Sequence, residues 1–412
     1  MTGHPGRRAG AGVLSTVLLA ALTAGCGGSD DESADDSTGE PAGASPERSV
    51  VWVANEGDDS LTVLDARTGR AVSTLTGVAA PHNVQASPSG DSVWVTVTGG
   101  VIQVGSDSLA VQHVAPAGDH PAHVVAGPDG VLVTSYGDGT LHDFTESLEP
   151  RGSLDLGGGP HGMRVAPDES FVAVANNGAG TVDLVDLPLE GDGADTAGSI
   201  RSVDVGAEPI QVAITADSRT VFVAVAGSRS IVRVDVATAE VTGKVRVEAA
   251  PAQVWATGAG QVLSANQGTD DDPGSTLSVI DAETMRIVAD VPTGQGPHGI
   301  VVTEDDASAW VTNTYDDTVT VVDLAALDAV GTYPVGDRPN GITLGLTSVT
   351  DADTRTPLLM PAPYSPADEG HDHDDHAHGE DETKDESKGG DSDEGGNDHG
   401  PDGDDSTSDH DH

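Results

Sequence analysis

Three short phrases place a histidine directly after a proline: APHNV at 80–84, GPHGM at 159–163 and GPHGI at 296–300. A fourth, GDHPAHVV at 118–125, carries His120 ahead of its proline and His123 two residues beyond it. Neutral imidazole is the commonest protein ligand for zinc and copper. His82, His161, His298 and one of His120 or His123 are therefore candidate metal ligands, provided the fold gathers them. Three ligands and one open position is a familiar geometry for a zinc ion that must remain accessible. Met163, in phase with His161 along an extended strand, offers a soft thioether and keeps copper in play. The competing reading is that the phrase is a turn signature copied with a repeat, its imidazoles bonded to loop carbonyls.

A second histidine group lies near the C-terminus. HDHDDHAHGEDE at 371–382 interleaves His371, His373, His376 and His378 with carboxylates, and DHDH closes the chain at 409–412. An acidic tail serving solubility alone has no need of imidazole, whereas transient chelation of a divalent ion does. Ordering such a segment costs roughly 1–2 kcal/mol per residue, which favours weak, exchangeable binding. Ligation requires neutral imidazole, whose reference pKa is about 6.5, so uptake should weaken below about pH 6. Nucleophile elbows, phosphate loops and zinc-protease helix motifs are missing from the sequence. An enzymatic reading of the lyase or lactonase kind would use a histidine as general base beside Glu56 or Glu208.

The elements that must position these residues recur at a period near 40. Pro81, Pro121, Pro160, Pro209, Pro251, Pro297 and Pro339 open successive units, at spacings of 40, 39, 49, 42, 46 and 42 residues. In each unit an apolar run follows the proline, ends at a Gly/Asp/Ser turn, and gives way to a second alternation such as AWVTN at 309–313. A third (TVTVVD, 318–323) and a fourth complete the unit. Four short strands per repeat of this length predict a β-propeller, and seven openings predict seven four-stranded blades. The chain starts on a second strand (Val50–Asn55) and finishes on a first strand (Asn340–Leu344), so the two ends should share a blade and close the ring.

WVTNTYDDTVTVVDL at 310–324 resembles the defining phrase of the YVTN-repeat propellers, a likeness that spans about residues 49–348 and implies fold rather than activity. In such a ring the loop entering the first strand and the loop leaving the second lie on one face. The residues after the seven prolines, His82, Ala122, His161, Ile210, Ala252, His298 and Asn340, should then ring one mouth of the central channel. Asn55, Glu56, Tyr136, Asn176, Asn266 and Asn313 should rim it. Plain alternation puts His120 in phase with the mouth histidines and His123 out of phase.

Charge and termini bound the remainder. A formal net charge of −50 excludes a phosphate-backbone binder, which needs clustered Lys and Arg. Arg7-Arg8, an apolar run and LTAGC ending at Cys26, the only cysteine, read as a secretory signal similar to that of bacterial lipoproteins. Residues 1–25 are then the signal peptide and Cys26 the lipidation site, placing the protein on the extracytoplasmic face of the membrane by a lipid anchor alone. Residues 26–48 read as a flexible acidic linker, 49–348 as the propeller and 349–412 as a disordered His/Asp/Glu-rich tail. A propeller with a His-rich mobile segment is similar to the extracytoplasmic zinc-chaperone propellers, which implies a transporter's metal-binding protein as partner. The expectation is a monomer that binds zinc or, less readily, copper without catalysing a reaction; a protein- or glycan-binding scaffold is the alternative.

Overall fold

A computed structural model describes residues 47–189, 200–349 and 354–361. They form seven antiparallel sheets arranged as the blades of a propeller. Blade 1 is made of Pro339–Thr347, Arg48–Asn55, Ser60–Asp65 and Ala71–Thr76, from the channel outward. Blades 2 to 7 begin at the channel with Val84–Ala86, Pro121–Gly127, Pro160–Val165, Pro209–Ile214, Pro251–Ala256 and Pro297–Val302, each followed by three further strands. The ring closes where the last inner strand pairs with the first strand of the sequence, Val51 opposite Leu344 and Trp52 opposite Thr343.

The packing explains why a chain with 3% aromatic residues suffices. Strands in the middle of a blade are covered on both faces by neighbouring blades, so SLTVLD (60–65) and SVWVTV (92–97) are buried throughout. Seven apolar clusters fill the seven blade-to-blade gaps. β-Branched and small side chains suit such closely stacked, twisted sheets. Met163, fully buried, belongs to the gap between blades 3 and 4 with Leu132 and Val172. It therefore points away from the channel, contrary to the alternation that grouped it with His161.

The tail was expected to lack structure from residue 349. Instead Thr354–Pro357 adds a fifth strand to blade 1, parallel to Ala71–Thr76. Leu358 is buried in the gap between blades 1 and 2, and its N–H donates to the Thr76 carbonyl at 2.8 Å. This covers a strand edge that would otherwise be open to pairing with another chain. The direction matters as well. Asn55 pairs with Ser60 and Ser60 with Thr76, so Thr76 and the added strand's end at Pro357 lie on the face carrying the proline loops. Arg48, opposite Thr347, enters from the other face.

One irregularity decides how the inner strands present their side chains. Pro121 pairs with Ser135 and Val124 with Val133, three steps on one strand against two on its partner. The same extra residue follows Pro160, Pro209, Pro251 and Pro297. Such a bulge turns the strand and breaks strict alternation. A threonine stabilises it in blades 3 and 7, and equivalent bonds are made in blade 2, whose inner strand begins only at Val84. Thr134 Oγ1 accepts from His123 N at 3.0 Å and donates to the His161 carbonyl at 2.6 Å, joining blade 3 to blade 4. Thr96 does the same for Asn83 and Ala122, and Thr312 for Gly299 and Asn340.

Candidate metal centre

The bulge after Pro121 brings His123, two residues after its proline, to the same side as His82, one residue after its own. With His161 they converge at the proline-loop end of the channel. One nitrogen from each ring lies within 4.8 Å of the other two. Ring centroids are 5.0 Å apart for His123 and His161, 5.4 Å for His82 and His161, and 5.8 Å for His82 and His123. Tetrahedral zinc with bonds of about 2.0–2.1 Å needs nitrogens roughly 3.3 Å apart. Each ring therefore has to close by less than about 1 Å.

Neighbours constrain each imidazole. Glu56 Oε2 lies 3.4 Å from Nδ1 of His82, and the same carboxylate oxygen accepts from the Asn340 side-chain amide. Nε2 of His82 is buried with no hydrogen-bond partner among the described residues, a costly state for a polar atom unless something fills the position. Nδ1 of His161 meets the Ile210 carbonyl at 3.0 Å, and Tyr136 packs edge-on against the ring. Gln211 reaches Nδ1 of His123 through its amide nitrogen at 3.3 Å, while its oxygen accepts from Val212 N at 2.8 Å. A ring N–H donated to a carboxylate or carbonyl, as His82 and His161 can do, is the usual support of a histidine ligand; at His123 the Gln211 amide is instead the donor.

Burial sets the charge states. Desolvation holds His123 well below the ordinary histidine pKa, reinforced by His161, His82, Arg164 and His298. Burial likewise brings His298 down to about 4, with the neighbouring His82 adding to the effect. His82 goes the other way: burial opposes its protonation, but the charge and hydrogen bond of Glu56 outweigh it and raise the pKa. Burial thus keeps His123 and His298 neutral at neutral pH, with lone pairs that can bind a cation, while Glu56 favours the proton on His82.

The remaining sequence candidates separate. His298 stands beside His82, centroids 6.3 Å apart, buried and with Nδ1 unpartnered. It lies outside the three-nitrogen set and neighbours it. His120 is not at the site. It occupies the loop ahead of Pro121 at φ 49°, its side chain 63% exposed and 2.9 Å from Asp119. Alternation chose the wrong member of this pair because it counts no bulge. Asn55, Asn176, Asn266 and Asn313 do not rim the mouth either. Each is buried and turns into its own blade, as Asn313 does onto Thr318 and Thr320 at 3.0 and 2.9 Å. Glu56 and Tyr136 do reach the mouth. In the PHG phrases the glycine has a packing role, since a Cβ on Gly162 or Gly299 would strike the backbone carbonyl of Ile210 or Asn340 in the next blade. Cys26 and the tail histidines His371, His373, His376 and His378 lie outside the described residues.

Sequence reasoning missed Gln211, which carries no motif and meets His123 only across blades. It also missed Arg164. This residue lies three positions beyond His161, and its guanidinium sits 5.3 Å above the ring of Trp255 in blade 6.

No protein-family model and no curated protein matches the sequence. Solved structures match the fold. A protein of unknown function from Desulfotomaculum acetoxidans superposes with a TM-score of 0.63 at 13% identity, over 72% of this chain and 98% of that one. A candidate 6-phosphogluconolactonase from Bacteroides fragilis gives 0.60 at 13%, over 74% and 99%. Apo AztD from Citrobacter koseri gives 0.54 at 14%, over 73% and 98%. At these identities the likeness establishes the seven-bladed architecture and nothing finer.

Proposed function

We propose that this protein binds a divalent transition metal ion, zinc ahead of copper, on His82, His123 and His161, and that it hands the ion on rather than using it in a reaction. The observation that carries the reading is the convergence of three imidazoles from three consecutive blades, one of them with a buried, orphaned nitrogen. The chain also has architectural likeness to AztD, a protein described in an apo form. The burial of Met163 removes the sulfur that favoured copper, and imidazole with an open fourth position suits zinc.

The direction of Thr354–Pro357 supports a role for the His-rich tail. The described residues end at Pro361, past a strand that runs toward the mouth face. Lipid anchoring at Cys26 and transfer to a transporter's binding protein complete the proposal. Calorimetric titration of zinc into untagged protein tests it. Wild type should take up one ion tightly, and His82→Ala/His161→Ala should lose that site. Unchanged tight uptake by the double variant would overturn the assignment.

A second reading draws on one contact. The Glu56–His82 pair is also what a general base and its orienting carboxylate require, and a candidate lactonase shares the fold. General-base chemistry needs one imidazole, however, and leaves the convergence of His123 and His161 unaccounted for. Lactone hydrolysis surviving complete metal removal, and lost in His82→Ala, would favour it.

A further inference from the structure

Arg164 is the other unusual group in the channel. It belongs to the inner strand of blade 4 and stacks on Trp255, in the inner strand of blade 6, so its side chain crosses the channel. It lies three residues along the strand from His161, roughly 7–10 Å deeper at a rise of about 3.3 Å per residue. Among the described residues its only hydrogen bond is from Nη1 to the Met163 carbonyl, at 3.3 Å. Among the described residues no carboxylate pairs with it. That is odd in a chain of 68 acidic and 18 basic residues. The other arginines with an aspartate in range use it, as Arg151 does with Asp143 at 2.7 Å and Arg338 with Asp270 at 2.9 Å.

A guanidinium offers five donors in a planar fork matched to carboxylate, and stacking on an aromatic face leaves that fork's edge available. Trp255 takes one face of Arg164, Met163 takes one donor, and the remaining donors have no acceptor among the described residues. Charge balance points the same way. A divalent ion on the histidines would share the channel with the Arg164 cation, and Glu56 is the carboxylate in contact with the cluster. Two such cations in a channel of low dielectric repel each other unless an anion lies between them.

We infer that Arg164 anchors a carboxylate-bearing anion in the channel just inside the histidine cluster, so that the site takes its metal together with a carboxylate. The inference rests on the metal reading for the pairing and on Arg164 alone for the anion. Arg164 holds the carboxylate by its open fork, and the anion's field stabilises the ion on the imidazoles.

The test uses the full-length protein stripped of metal, with acetate as probe and tryptophan fluorescence as readout, because Trp255 lies directly against Arg164. Wild type should give a saturable fluorescence change, absent in Arg164→Met and in the Trp255→Phe control, and weakened in Arg164→Lys, which keeps the charge without the fork. Zinc affinity should then rise about tenfold in saturating acetate for wild type, and stay unchanged in Arg164→Met. No acetate response in wild type, or an equal one in Arg164→Met of unaltered melting temperature, overturns the inference. If Arg164→Met does not fold, a Lys variant indistinguishable from wild type overturns it. The two readings fail separately. Acetate binding without zinc uptake removes the metal and keeps the anion site; zinc uptake indifferent to acetate, with no response in the apoprotein, does the reverse.

Discussion

Glu56 and His82 come from adjacent blades and meet with Oε2 3.4 Å from Nδ1. Glu56 follows the first strand of the sequence and His82 precedes the inner strand of blade 2, so ring geometry alone pairs them. The contact directs the proton of His82 to Nδ1 and leaves Nε2 as the atom with a lone pair to give. Replacing Glu56 with Gln should weaken zinc binding about 10- to 100-fold, the usual cost of losing such a support. Competition against a chromophoric chelator reads the affinity. An affinity within twofold of wild type would show that the carboxylate does not orient the ligand.

If the site takes up zinc as proposed, the same pair should set the pH response of uptake. Its charge and hydrogen bond raise the pKa of His82 against the effect of burial, so protons compete for this nitrogen first. Zinc affinity should begin to fall above pH 6.5 as the solution is acidified, and Glu56→Gln should move that onset to lower pH. The raised pKa also means that His82 contributes stability present below about pH 6.5 and lost as pH rises through its folded value. Affinity profiles of the two proteins that superimpose from pH 5 to 8 would contradict this.

His298 and His123 have the opposite sign. Burial depresses both, His298 to about 4, against about 6.5 in an unfolded chain. Their stability is complete above pH 6.5 and is lost as pH falls through 6.5 toward the folded value. For His298 alone the full loss is about 3 kcal/mol. The melting temperature of the apoprotein should fall between pH 7 and pH 4, and His298→Gln should flatten the slope. An acid limb equally steep in that variant would place the titrating group elsewhere.

Much of this was readable from spacing, and the reason the rest was not is local. The 40-residue period and the alternation around Trp52, Trp94 and Trp310 follow from strands buried on both faces, so blade number and ring closure appear in one dimension. The choice of His123 over His120 does not, because one bulged residue reverses the face of everything beyond it. The asparagines that end the second strands looked like rim residues. In fact each turns its amide into its own hairpin, where side chains of the third strand receive it, hydroxyls for Asn55, Asn266 and Asn313 and the Asp183 carboxylate for Asn176. Contacts between blades, such as Gln211 with His123 and Arg164 with Trp255, join positions 88 residues or two blades apart and have no periodic signal.

Gln211 gives a prediction in the direction of gain. Its oxygen is held by Val212 N and its amide N–H points at Nδ1 of His123, which makes Nδ1 the acceptor and leaves the proton on Nε2. Metal binding through Nε2 has to move that proton. A carboxylate at this position would accept from Nδ1–H and favour the ligating tautomer, so Gln211→Glu should tighten zinc binding about tenfold. Weaker binding in a variant that melts like wild type would mean that Nδ1 itself is the ligand atom.

The fifth strand of blade 1 makes a final prediction that is independent of metal. Thr354–Pro357 pairs along Ala71–Thr76, and Leu358 is buried against blades 1 and 2. Truncation after Pro361 should leave the melting temperature unchanged, whereas truncation after Ser348 removes both features. Leu358 alone is worth about 2 kcal/mol of burial, and the exposed edge of Ala71–Thr76 becomes free to pair with a second molecule. The shorter protein should therefore melt several degrees lower and associate at concentrations where the longer one stays monomeric. Thermal melts and sedimentation velocity on the two truncations decide the matter. Equal melting temperatures would mean that the added strand is held only loosely against the blade.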